Sequence, residues 1–293
     1  MRSRGSEFGP GIDRETTLNQ DYEDKVMEHY TNVAHEAGLS SSCTMMDEYI
    51  RNGETRAILG LVELVAKTTS GPLRVLDVGC GNGYTLRTLA GRIRDGRLDK
   101  SIELLGIEKN PHLRQLAIKM NEAFPVTITE GDILRAETLA ASQASIDVCI
   151  SQRVIINLMN LADQKAALAN LMALVKPGGY LLFIECFEDG LANLNAARRE
   201  FNLDPNTPAA HNLYLPTDFF VDAGLDEAAP AGWNVPPTLF STHYYVQRVL
   251  QNALRGNVID RNSNFVRFFS EALPEAIGNF SPIRIHSFRK AAA

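Results

Sequence analysis

Apolar and polar positions alternate along this chain in two different periods, and the order of those periods sets out the fold. Val26, Tyr30, Val33 and Ala37 recur at helical spacing, and Gly38 suits the stop that follows them. Ser40-Ser41-Ser42 breaks the pattern. A second helical stretch carries Met45, Met46, Tyr49 and Ile50, and a third carries Ile58, Leu59, Leu61, Val62 and Val65 before Gly71-Pro72. The pattern then changes. Leu73, Val75, Leu76 and Val78 form a near-continuous apolar run, as expected of a strand covered on both faces. Strand-like runs return at Ile102–Glu108, Val126–Thr129, Ile146–Ser151 and Tyr180–Glu185. Helical stretches separate them, one beginning at Tyr84, one carrying Leu113, Leu116, Ala117 and Met120, and one carrying Leu161, Leu168, Leu171, Leu174 and Val175. Strands alternating with helices predict a parallel sheet.

The last hundred residues are less regular. A helix is expected across Leu191, Leu194, Ala197, Arg198 and Phe201, then a break from Asp204 to Pro208 and a short helix near Thr217 to Ala223. Residues 228–237 read as loop around Trp233. Ser241 opens a helix running through Leu254, and Ile283–Phe288 alternates as a final strand. The units expected are an irregular start over 1–20, helices over 21–70, an α/β core over 71–190, and a continuation of the same domain over 191–293. Gly5-Ser6-Glu7-Phe8 matches what adjoining BamHI and EcoRI sites encode, and Ala291-Ala292-Ala293 resembles a NotI scar, so the outermost residues are set aside as a tag remnant.

Composition narrows the class of protein without naming it. The 293 residues carry 29 Lys plus Arg against 35 Asp plus Glu, a net charge of −6, with no basic run, so nucleic acid is not expected as a partner. No apolar run approaches the ~18 residues of a membrane span, and no signal peptide is evident. Cys43, Cys80, Cys149 and Cys186 lack zinc-ligand spacing and read as reduced thiols, so no metal and a cytoplasmic setting are expected.

The chemistry concentrates where the first strand ends. Asp77-Val78-Gly79-Cys80-Gly81-Asn82-Gly83 places three glycines at alternate positions between a strand and a helix, an arrangement that receives a polar or anionic ligand group. The dinucleotide fingerprint would need glycine where Tyr84 stands. The second strand ends in Glu108, 25 residues beyond Gly83, where an acid accepts hydrogen bonds from ribose hydroxyls.

The D-x-G-x-G-x-G pattern from Asp77 to Gly83 resembles motif I of the class I S-adenosylmethionine-dependent methyltransferases. Glu108 matches the family's ribose acid, Gly131-Asp132-Ile133 its adenine-binding turn, and Leu174 to Leu181 its L-K-P-G-G-x-L element with Val175 inserted. The resemblance implies a Rossmann-like seven-stranded, mostly parallel sheet. Its last strand would lie antiparallel beside the fifth, with an N-terminal helical lid and a substrate-side insertion. It implies S-adenosylmethionine as cofactor, held by Tyr30, Asp77, Gly79, Cys80, Gly81, Gly83, Glu108, Lys109, Asp132, Ile133, Ser151 and Gln152. Arg51 is a further candidate in the lid. The motifs of DNA amino- and cytosine-methyltransferases are absent after Ser151, so the implied acceptor is a small molecule of natural-product or sugar type, methylated on oxygen or nitrogen. Asn157, Arg198, Asn212, Tyr214, His243 and Tyr244 are the expected acceptor contacts. His211 is the candidate general base, with Glu185 and Arg153 as further catalytic candidates. A monomer or homodimer is expected. The rival readings are an NAD-dependent oxidoreductase and a non-catalytic S-adenosylmethionine-binding protein.

Overall fold

The computed structural model describes residues 14–98, 101–257 and 260–292. Six strands form one sheet in the order β3-β2-β1-β4-β5-β6, from β1 (Leu73–Val78), β2 (Ile102–Ile107), β3 (Val126–Thr129), β4 (Ile146–Gln152), β5 (Val175–Cys186) and β6 (Ile283–Arg289). The first five are parallel, and β6 runs antiparallel to β5, with Tyr180 opposite Arg289 and Cys186 opposite Ile283. Strand order reverses between β1 and β4. Their carboxyl ends therefore diverge into a crevice, the place where open α/β sheets bind ligands.

The sheet has six strands rather than seven. The chain between β5 and β6 folds mainly as helix and loop, and it meets the free edge of β6 in a single bridge, Glu227 to Phe288. Ala228 N donates to Ser287 O and Ile285 N donates to Pro237 O, but Pro230, Pro236 and Pro237 cannot donate in return, so these bonds do not build a seventh strand.

Among the described residues, two helices rather than three precede β1. Helix α1 (Arg14–Ala37) begins inside the stretch set aside as an irregular start, while residues 1–13 lie outside the described residues. The second and third expected helices are one, α2 (Glu48–Thr68), capped by Asp47, whose side chain accepts from Ile50 N. Gly53 sits inside α2 because the Phe240 ring lies against it: an added Cβ would come within 2.5 Å of Phe240. Between the strands run α3 (Tyr84–Arg94), α4 (Pro111–Asn121) and α5 (Leu161–Leu174). Lys176-Pro177-Gly178-Gly179 lies within an irregular start of β5, where the register with β4 shifts.

After β5 come α6 (Glu188–Glu200) and α7 (Phe219–Asp222). Then α8 (Ser241–Tyr245), a π turn (Val246–Leu250) and α9 (Gln251–Arg255) continue one into the next, followed by α10 (Asn264–Ala272). One large core joins α2, the sheet and its covering helices. Helix α1 is fastened by a separate, small apolar cluster, Ala34, Cys43 and Leu113 with Tyr30, Val33, Ala37 and Leu116 around them. No helix among the described residues is long and apolar enough to cross a membrane.

Candidate functional site

The crevice holds a cavity of about 1200 Å3, its open mouth included. One wall is the loop after β1. Gly79 (φ +65°) and Gly83 (φ +80°) occupy left-handed backbone, and a Cβ would meet Val154 at 2.6 Å or Asn121 at 2.5 Å. Both positions thus exclude side chains on conformational and steric grounds. The amides of Gly79 and Cys80 both donate to Ile107 O, at 2.8 and 3.0 Å, which ties the loop to the end of β2.

Glu108 completes that tie. Its carboxylate accepts from Gly81 N (Oε2, 2.8 Å) and Asn110 N (Oε1, 2.8 Å), and the residue is 7% exposed. Burial pushes its pKa up to about 7, against the opposing pull of those amides. Asp77 is buried beneath the loop, and among the described residues its Oδ1 has no hydrogen-bond partner. Burial, then the Glu108 charge, pushes its pKa up to about 8.

Asp132 and Ile133 also line the cavity. Asp132 Oδ1 accepts from Leu134 N, and Oδ2 stands 2.8 Å from Lys109 Nζ, which also reaches Glu23 on α1 at 3.3 Å. Helix α1 covers this side. Asn110 Nδ2 donates to Met27 O and Thr31 Oγ1, while the Tyr30 hydroxyl bonds to the Asn157 side chain. Asn82 Nδ2 donates to Gly38 O and Ser40 O just past the helix end.

The segment after β4 forms the third wall. Gln152 Oε1 accepts from Thr85 Oγ1 at 2.8 Å. Arg153 has a left-handed backbone (φ +56°), a strained setting for a non-glycine residue, and its guanidinium pairs with the fully buried Glu54 of α2. Glu185 holds this segment from behind. It accepts from Ser151 Oγ, Val154 N, Ile155 N and Ile156 N.

Tyr30, Gly79, Cys80, Gly81, Glu108, Lys109, Asp132, Ile133, Gln152, Arg153 and Asn157 all line the cavity. Asp77, Gly83 and Ser151 stand behind the wall. The rest of the expected acceptor side does not reach it. Glu185 is buried and faces backbone amides. Arg198 donates to the carbonyls of Asp204 and Arg248. His243 is buried between Asp47 (3.0 Å) and Ser270 (2.8 Å). Asn212, Tyr214 and Tyr244 also lie off the lining. His211, in the turn between α6 and α7, stacks on His29 of α1 with ring centroids 3.9 Å apart and is not among the residues lining the cavity.

That stack predicts a pH effect. Burial lowers the pKa of both histidines below 6.5; Glu36 opposes this at His29, while the His29 charge reinforces it at His211. A histidine with a lowered folded pKa contributes stability above its unfolded value and loses it as pH falls. Hydrogen exchange in residues 22–37, corrected for intrinsic rates, should therefore be faster at pH 5 than at pH 7.5. His29→Gln should flatten that difference, and an unaltered pH dependence in the variant would refute the latch.

A family model described as a methyltransferase domain matches residues 70–217, half of the chain. The chain belongs to the class I S-adenosylmethionine-dependent methyltransferases. Its cofactor is S-adenosylmethionine, and Tyr84 in place of the third glycine agrees with this family over an oxidoreductase. A malonyl-[acyl-carrier protein] O-methyltransferase of Erwinia billingiae is 32% identical over 152 residues, covering 52% of each chain. An uncharacterized methyltransferase of Mycobacterium bovis is 27% identical over 187 residues, 61% of this chain and 78% of that one. The chain spans about half the length of the first curated relatives it matches. The structure of magnesium protoporphyrin IX methyltransferase from Synechocystis, with bound S-adenosylmethionine, aligns over 97% of this chain and 100% of that one at TM-score 0.49 and 12% identity.

The family's cofactor fits the groups present. The cavity supplies a side-chain-free cradle at Gly79, a buried acid with an unpartnered oxygen behind it, and a carboxylate whose two oxygens each keep a lone pair for a hydroxyl. Sequence reading did not single out Glu54, which anchors Arg153. A signal was present: Glu54 is a charge on the face of α2 that buries Ile50, Ala57 and Ile58.

Proposed function

We propose that this protein transfers a methyl group from S-adenosylmethionine to an oxygen or nitrogen of a small molecule. The observation that carries the reading is Glu108, a buried carboxylate of the cavity wall bonded to the glycine loop, with Asp132 and Ile133 in the same lining. In this reading Gly79, Gly81 and Asp77 hold the amino acid end of the cofactor, Glu108 the ribose hydroxyls, and Asp132 with Ile133 the adenine. When bound, the cofactor supplies an electrophilic methyl group on a positively charged sulfur. Gln152, Val154, Tyr30 and Asn157 then bound the space left for the acceptor, exclude water from it and fix its direction of approach.

No histidine lines the cavity among the described residues, and burial raises the Tyr30 pKa. Glu108 lines the cavity with a pKa raised to about 7, but in this reading the ribose hydroxyls occupy it, so it does not face the acceptor as a base. The favoured acceptor therefore arrives with its nucleophilic atom already free of the proton at neutral pH, as a carboxylate or an aromatic amine does. Calorimetry with S-adenosylhomocysteine tests the cofactor half, and absence of binding would sink the proposal. Incubation with labelled S-adenosylmethionine and panels of carboxylic acids, amines and phenols tests the acceptor half. Turnover confined to phenols or alcohols would overturn the preference for a deprotonated acceptor.

A further inference from the structure

Three arginines gather around the π turn between α8 and α9. Arg198 of α6 donates to the carbonyls of Asp204 and Arg248, which fixes it against the turn. Gln247 Nε2 donates to Arg261 O at 3.4 Å, which lays the segment before α10 against the same turn. Burial lowers the pKa of both Arg198 and Arg248. The charge of Arg248 adds to the effect at Arg198, and that of Arg261 adds to it at Arg248, against the opposing pull of Tyr244. Arg248 and Arg261 are half-buried, and among the described residues neither side chain donates a hydrogen bond or forms an ion pair. The Nε of Arg248 is sealed from solvent without a partner, whereas its Nη1 and Nη2 are not sealed.

Acids stand nearby, but they are committed elsewhere or face solvent. Asp47 acts on Arg248, yet its carboxylate serves Ile50 N, His243 and Gln247. Asp260 pairs with Arg255, and the exposed Asp204 acts on Arg198. Like charges held together repel, and a half-buried cation without a partner has lost water that nothing replaces. Tyr214 and Tyr244 also act on Arg248; both are half-buried, and burial keeps both phenols protonated by raising their pKa. The turn itself is a second sign, because π turns inside helices recur at functional sites.

We propose that Arg248 and Arg261, with Tyr244 beside them, bind a small oxyanion, a carboxylate or a phosphate, between the π turn and the segment before α10. The guanidinium fork matches the oxygens of either group. None of these residues lines the large cavity, so the site is separate from it and stands whatever the cavity binds.

Thermal unfolding at constant ionic strength tests the site, with succinate and inorganic phosphate as probes and sodium chloride as the reference. At about 20 mM, at least one probe should raise the wild-type Tm by about 2 °C or more over sodium chloride. A rise with one probe alone supports the site and names the oxyanion. Arg248→Gln and Arg261→Gln should each lose at least about half of that rise, and Arg248→Lys should fall between, because it restores charge without the fork. Arg255→Gln, whose arginine is paired with Asp260, should keep the full rise. In sodium chloride alone Arg248→Gln should melt no lower than the wild type, because it removes a repelling charge. No rise with either probe, or a rise lost equally in Arg255→Gln, would overturn the site. A lowered Tm for Arg248→Gln with its response to the probes intact would show a structural arginine and overturn it as well.

Discussion

Glu108→Ala should weaken S-adenosylhomocysteine binding by about 100-fold or more, the sum of two charge-assisted hydrogen bonds at about 1.5–3 kcal/mol each. The expectation follows from the double duty of this carboxylate. Each oxygen already accepts one amide, Gly81 N or Asn110 N, and each keeps a lone pair directed to a ligand hydroxyl in the proposed reading. Alanine removes both ligand contacts and leaves both amides without a partner, so the loop after β1 and the start of α4 lose their common tie. Glu108→Gln retains one acceptor and should fall between. The pH dependence has a definite sign. In the free protein the Glu108 pKa is raised to about 7, whereas hydroxyl donors favour the ionised form. Affinity should therefore rise with pH through about 7 and fall below it, and the Gln variant should lose that slope. Wild-type affinity in Glu108→Ala, or a flat profile between pH 6 and 8, would remove the ribose role.

The sheet and the cofactor wall were legible because their signals are local. The apolar run of β1, the three glycines after Asp77 and the acid ending β2 all lie between Leu73 and Glu108. Their chemistry is backbone conformation and spacing, which sequence displays directly. The acceptor side was not legible in the same way. Polar residues after 185 suggest a pocket, yet Arg198 serves the carbonyls of Asp204 and Arg248, and His243 serves Asp47, 196 positions away. A buried polar side chain needs a partner, and sequence does not reveal whether that partner is a ligand or the chain itself. His211 reads as a base in isolation, but the ring stacked on it comes from α1. The seventh strand was expected from the family resemblance alone; the alternation marked six strand-like runs, and residues 226–228 meet β6 through the Glu227–Phe288 bridge without forming another strand. The two helical stretches expected around Tyr49 and Leu61 are one helix, and Gly53 inside it leaves room for the Phe240 ring.

Glu185 illustrates the same ambiguity with the largest expected consequence for folding. It is fully buried, ends β5 next to Cys186, and gathers four donors from Ser151, Val154, Ile155 and Ile156. Those amides open the turn that carries Arg153 in its strained conformation, so Glu185 determines where the third wall of the cavity stands. Glu185→Ala leaves three buried amides unpaired at about 1–3 kcal/mol each, which predicts a loss of at least about 3 kcal/mol, a large part of a typical domain's stability. Gln keeps one acceptor oxygen and should cost less. Burial raises the Glu185 pKa to about 7, so folding favours its protonated form. That contribution is complete below the unfolded value near 4.5 and is lost as pH rises through about 7. Urea denaturation from pH 5 to pH 8 should accordingly show the wild type losing stability relative to Glu185→Gln as pH increases. If Glu185→Ala unfolds within about 1 kcal/mol of the wild type, the four hydrogen bonds do not set the turn. If the stability difference from Gln is constant with pH, the carboxyl does not titrate in that window. When both effects appear together with weakened S-adenosylhomocysteine binding and an unshifted affinity for small carboxylates, the buried acid acts by positioning the post-β4 turn rather than by touching the ligand.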